Sequence, residues 1–238
     1  MTVPVSHGGR HWVIVPAAGQ GARFGAGLPK QYAPLLGRPM LSWTLAALLA
    51  EPRLQRIVVA LAPDDTHWRA IPEMNDPRVR RCEGGDRREH TVARGLDALA
   101  GESRETDWVL VHDAARPCLR PEDIALLIDT LADDTVGGLL ALPVGDTLKR
   151  ADDTGCSVET VPRDQLWRAL TPQMFRAGLL RRALGLCRER DRAVTDEASA
   201  IESLGLRPRL LRGHADNIKV TNPEDAALAE AILRRDRQ

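Results

Sequence analysis

Lysine is scarce in this chain. Of 33 basic side chains only three are lysine, Lys30, Lys149 and Lys219. Arginine serves wherever a generic cation will do, so each remaining lysine is a candidate for work that needs a compact point charge. Net charge is lacking too, since 33 acidic residues balance the 33 basic ones. That balance argues against a nucleic-acid or membrane-surface protein and leaves any anion to local charge. Cysteine is sparse: Cys82, Cys118, Cys156 and Cys187 include no C-x-x-C pair. This argues against a zinc site and a disulfide framework and fits a reducing cytoplasm. The opening MTVPVSHGGRH has no signal-peptide core. No run approaches the ~18 apolar residues of a membrane span. There is no internal repeat, low-complexity tract or linker, and 238 residues at 43% hydrophobic suffice for one α/β domain with a large core.

Two common phosphate loops are missing as well. After an apolar run, Trp12-Val13-Ile14-Val15-Pro16, come Ala17, Ala18 and a loop holding Gly19, Gly21, Gly25 and Gly27 with Arg23 and Lys30. Phe24 stands where a G-x-G-x-x-G dinucleotide fingerprint needs its third glycine, and Lys30 follows Leu28-Pro29, so the Gly-Lys pair of a Walker loop is absent. What is present is a buried parallel strand followed by a glycine-rich cup with two cations. Glycine allows close approach to backbone N–H groups, and a row of these cradles phosphate oxygens. The stretch reads as a nucleotide triphosphate cradle, with a plain surface loop as the alternative.

The remaining pattern alternates strands and helices. Strands are expected at 12–16, 56–61, 108–111 and 137–144. Helices are expected from near Pro39, just after Gly84-Gly85, and from Pro121-Glu122-Asp123. A polar hairpin over 147–150 and 157–161 breaks this rhythm, around an Asp152-Asp153-Thr154-Gly155 turn. It reads as an arm over 145–162 that docks on a second subunit, or as a solvent-exposed hairpin. A helix is then expected over 174–190 and another from Thr195 to a stop at Gly205, with Thr195 as its N-cap. Late strands at 208–213 and 217–221 precede a last helix at Pro223. The sum is one domain over 1–238, three-layer α/β and mostly parallel, with an inserted hairpin arm.

Candidate functional residues sit where such folds place ligands. Gly85, Asp86 and Thr91 either present polar groups to a base at a helix N-terminus or form an ordinary charged turn. Asp113 ends the third strand as a magnesium-ligand candidate or as the cap of the next turn. Arg116 is placed for a second anion, and His112 reads as a packed or turn histidine rather than a catalyst.

The ordered motifs PAAGxGxRFG…LPKQY, GGxxRxxTV, VHDAARP, DTLKR, LTPQ, TDEASA and DNIKVTNPEDAALAE resemble the 2-C-methyl-D-erythritol 4-phosphate cytidylyltransferase family, from about Trp12 to Leu233. The resemblance implies a Rossmann-like nucleotidyltransferase sheet. It also implies transfer of CMP from CTP to methylerythritol phosphate in non-mevalonate isoprenoid synthesis, with Mg2+ and a cytoplasmic homodimer joined by the arm. By resemblance, Arg23 and Lys30 stabilise charge on the α-phosphate and pyrophosphate. Ala17, Ala18, Gly19 and Gly21 wrap the triphosphate, and Gly85, Asp86 and Thr91 read cytosine. Asp113 lies near metal and substrate. Arg116, Thr147, Arg163, Thr171, Thr195 and Lys219 form the second-substrate site, with Arg163 and Lys219 aligning the nucleophile. Thr147 and Arg163 would serve the neighbouring subunit's site. Thr91 stands where serine is usual, and Gly145 where arginine is common. A sister enzyme acting on ribitol 5-phosphate is the alternative.

Overall fold

Successive side chains of a strand point to opposite faces, and in β1 (His11–Ala17) both faces are apolar. Val13 and Val15 enter one hydrophobic cluster, Trp12 and Ile14 another. A strand buried on both sides belongs in the middle of a parallel sheet covered by helices. The computed structural model, which describes residues 9–19 and 28–235, places it there.

After β1 come a two-residue ribbon, β2 (Pro34–Leu35) with β3 (Arg38–Pro39), then α1 (Met40–Leu49), β4 (Leu54–Leu61) and β5 (Val79–Glu83). Next are α2 (Arg88–Ala98), β6 (Trp108–Val111), α3 (Pro121–Leu131) and β7 (Gly137–Pro143). The hairpin is β8 (Leu148–Ala151) with β9 (Ser157–Val161). The chain ends with β10 (Trp167–Arg176), α4 (Ala177–Glu189), α5 (Glu197–Glu202), β11 (Arg209–Arg212) and α6 (Pro223–Arg235). The main sheet has seven strands in the order β11-β7-β10-β6-β1-β4-β5. Only β10 runs antiparallel to its neighbours.

Helices α1 and α3 cover one face through Leu41, Leu45, Leu48, Ile124 and Leu127. Helices α2, α4 and α5 cover the other through Val92, Leu96, Leu180, Ala183 and Ile201. Helix α2 crosses β1 so closely that a Cβ on Gly95 would lie 2.6 Å from Ile14 Cγ2, so this position takes glycine for contact. Helix α6 packs on a smaller cluster with Ala33, Leu35, Trp43 and Val220.

Several expectations need correction. Met174 to Arg176 are strand, not helix, because β10 runs to Arg176 and α4 starts at Ala177. The helix start expected near Pro39 holds: Pro39 ends β3, and α1 begins one residue later. Asp196, not Thr195, caps α5: its carboxylate accepts from Ser199 N at 2.9 Å in a capping box. Residues 217–221 form no strand. The hairpin is paired as expected, with Leu148 opposite Val161 and Lys149 opposite Thr160. Asp152 Oδ1 gathers the N–H groups of Thr154 and Cys156 to shape its turn.

Candidate active site

The parallel strands β1 and β6 both end at one cavity of about 250 Å³. Its wall includes Ala17, Ala18 and Gly19 from the end of β1, Lys30, Asp86, Arg88 and Thr91 around the start of α2, Asp113 after β6, and Lys219. Eight of these nine residues, all but Arg88, are candidates from the sequence; Gly21 and Arg23 lie outside the described residues.

On one side the cavity is shaped mainly by backbone. Gln31 Nε2 donates to the Ala17 carbonyl at 2.8 Å, which holds the turn carrying Lys30 against the end of β1. A Cβ on Gly84 would overlap Ala18, so glycine there lets the two loops close on each other. Gly85 N donates to Thr91 Oγ1 at 3.0 Å, and that hydroxyl faces the Arg87 carbonyl at 3.0 Å. Thr91, buried, therefore shapes the turn. Asp86 is exposed and meets His90 Nδ1 at 2.6 Å, which lowers its carboxyl. Helix α2 opens without a side-chain cap, leaving first-turn N–H groups available to an acceptor.

On the other side the cavity is built from side chains. Buried Asp113 faces three cations: Lys219 Nζ at 3.0 Å, Arg88 Nη2 at 3.3 Å and Arg116 Nε at 3.5 Å. Burial pushes its carboxyl up, but these cations prevail and hold it well below the usual carboxylate range. The turn-cap reading of Asp113 is thereby replaced by an ion cluster. Asp113 N donates to Thr171 Oγ1 at 3.1 Å. Thr171 Oγ1 lies 3.0 Å from His112 Nδ1, and His112 Nε2 lies 3.2 Å from the Arg116 carbonyl. A carbonyl only accepts, so Nε2 carries the ring proton and Nδ1 accepts from the Thr171 hydroxyl. Burial pushes His112 down to about 4, against the pull of Asp113. Of the two readings, packed or turn, it is the packed one, and the ring is neutral.

The structure thus brings together Lys30, Asp113, Thr171, Arg116 and Lys219. Thr195 is exposed just ahead of the α5 cap. Thr147 and Arg163 are exposed at the base of the hairpin, and Arg163 Nη1 donates to the Gly145 carbonyl. Among the described contacts neither touches the Asp113 cluster.

Among the residues that sequence reasoning missed are Arg88 and Glu197. Glu197, fully buried, grips Arg88 with both oxygens, at 2.5 and 3.0 Å. Arg88 in turn bridges to Asp113, so the pair joins α5, α2 and the end of β6. Both stand at fixed positions of quoted motifs, GGxxRxxTV and TDEASA, and that was the available signal. Gln173 adds to the joint, donating to Asp196 Oδ2 at 2.9 Å and accepting from Ala198 N at 2.8 Å.

Similarity to known proteins points the same way. A protein of Dechloromonas aromatica (strain RCB) named 2-C-methyl-D-erythritol 4-phosphate cytidylyltransferase is 55% identical over 228 residues, covering 94% of this chain and 98% of the relative. A crystal structure described as 4-diphosphocytidyl-2C-methyl-D-erythritol synthase superposes with TM-score 0.83 at 40% identity, covering 95% of this chain and 99% of that one. The 2-C-methyl-D-erythritol 4-phosphate cytidylyltransferase of Francisella tularensis does so with TM-score 0.82 at 34% identity, covering 94% and 99%. Residues 11–235 match the family described as IspD, 2-C-methyl-D-erythritol 4-phosphate cytidylyltransferase. The chain belongs to the 2-C-methyl-D-erythritol 4-phosphate cytidylyltransferase family.

Proposed function

We propose that the chain performs the reaction for which its family is named. A phosphate oxygen of methylerythritol phosphate attacks the α-phosphorus of CTP. The bond from that phosphorus to the bridging oxygen breaks, and pyrophosphate leaves with the electron pair. Such transfer needs positioning and charge neutralisation more than covalent help. The observation that carries the reading is one cavity with Lys30 and the β1 end on one wall and Asp113 and Lys219 on the other, with Arg116 paired to Asp113.

Ala17, Ala18, Gly19 and Gly21 wrap the triphosphate. Arg23 and Lys30 neutralise charge on the α-phosphate and leaving group. Gly85 and Asp86 meet the base, with Thr91 holding their turn. Arg116, Thr171, Thr195 and Lys219 receive methylerythritol phosphate, and Lys219 aligns the nucleophile with Arg163. Asp113 offers one carboxylate, and among the described residues no group of three His, Cys, Asp or Glu could hold a metal. That donor set fits a magnesium ion carried in by the triphosphate, which takes one or two protein carboxylates. Such an ion supplies charge neutralisation on the phosphates.

We take residues 1–238 as one domain whose 145–162 arm docks on a second copy, presenting Thr147 and Arg163 to its site. Large apolar side chains exposed on and near the arm, Val158, Leu166 and Trp167, support a covered surface there. No described helix is long and apolar enough to cross a membrane, and we place the enzyme in the cytoplasm. Pyrophosphate release with CTP, magnesium and methylerythritol phosphate tests the reading. Faster turnover with ribitol 5-phosphate would overturn it.

A further inference from the structure

Residues 213–221 form neither helix nor strand, yet they deliver Lys219 to Asp113 at 3.0 Å. Buried polar groups of an irregular segment must find partners in other elements. Much of that pairing runs through Asn217, which is 1% exposed. Its backbone carbonyl accepts from Arg116 Nη1 at 2.7 Å, and its side-chain Nδ2 donates to the Thr171 carbonyl at 2.7 Å. Lys219 follows two residues later. Arg116 belongs to the loop after β6, Thr171 to β10 and Lys219 to the segment itself. One residue therefore ties together three pieces of chain, each bearing a group assigned above to the second substrate.

We propose that Asn217 is a positioning residue that sets the spacing of Arg116, Thr171 and Lys219 for methylerythritol phosphate, an inference that rests on the function proposed above. The job requires an amide. An ionised aspartate has nearly the same shape but no donor for the Thr171 carbonyl, and sets a charge against it. Alanine lacks the reach. The hydrogen bonds of Asn217 among the described residues go to His214, Arg116 and Thr171, away from the turn at Gly85 and from Lys30. Its loss is therefore felt on one substrate and not the other.

Steady-state kinetics of Asn217→Asp and Asn217→Ala, with each substrate varied in turn, test this. The expected result is a loss on the order of 10–100-fold in kcat/KM for methylerythritol phosphate, the scale of a small misplacement of binding groups, with KM for CTP within about two-fold of wild type. Equal losses for both substrates, or none, overturn the proposal, because a general packing role does not discriminate between them. A second measurement needs no variant. In wild-type protein holding an unreactive CTP analogue, the Asn217 side-chain amide resonances shift when methylerythritol phosphate is added. Resonances that ignore it overturn the proposal. Wild-type enzyme that fails to turn over methylerythritol phosphate defeats the functional reading itself, and this inference with it.

Discussion

The two walls of the cavity are made differently. The wall of Ala17, Lys30 and Asp86 hangs from regular elements: parallel strand ends, a helix start and glycines that let loops approach. Its polar groups are mostly main chain, held by the sheet. The wall of Asp113 and Lys219, backed by Arg116 and Thr171, depends on an irregular segment and the antiparallel β10, and it is held by side chains. Backbone-made walls follow from fold and tolerate sequence change. Side-chain-made walls are specific and lose their shape when one member goes.

The first break is at the joint between the walls. Glu197→Gln takes from Arg88 the nearer of its two buried counter-charges and leaves it only Asp113, and removing one partner of a buried pair costs about 3–5 kcal/mol. Urea unfolding should show that loss; an unchanged midpoint would mean the pair is idle. Next, Lys30→Ala tests the backbone wall. Losing one preorganised charge stabiliser lowers kcat by ~10²–10³-fold, with CTP affinity much less affected; a pure affinity defect would assign Lys30 to uniform binding. The side-chain wall carries a pH signature. His112 has its folded pKa pushed down to about 4, so below about 6.5 the unfolded chain takes a proton that the folded protein refuses. Stability is complete above that pH and falls by up to about 1.4 kcal/mol per unit as pH drops toward 4. Comparing unfolding of wild type and His112→Gln across this window should show one proton's worth of slope gone. Smallest, Asp196→Ala removes the α5 cap and costs ~1 kcal/mol, visible as a lower thermal midpoint with KM for CTP unchanged.

The same contrast governs what could be read in advance. Buried parallel strands announce themselves by apolar runs, so β6 lies at Trp108–Val111 as expected, and proline with two acids marks the start of α3 at Pro121. Strand β10 was hidden because a central strand carrying Thr171, Pro172 and Gln173 violates the apolar pattern. Its ladder skips register between Ala169 and Gln173, and its buried polar groups are satisfied by distant residues such as Asp196 and Asn217. Edge strand β5, with Arg80, Arg81 and Glu83, has no apolar run to announce it, for the opposite reason: it is half exposed. Residues 217–221 alternate like a strand, yet they lie in no ladder; Val220 N instead donates to the Ala115 carbonyl at 2.9 Å. Individual site residues were legible from motifs. Arg88, Glu197 and Asn217, which hold those residues in place, required coordinates, because what they do is visible only in whom they touch.

The most direct test of the account is a crystal structure of the protein with CTP and magnesium. The account predicts the triphosphate in the cup at the end of β1, with its α-phosphate between Lys30 and the Asp113–Lys219 cluster. A nucleotide bound anywhere else, with that cup unfilled, would contradict it.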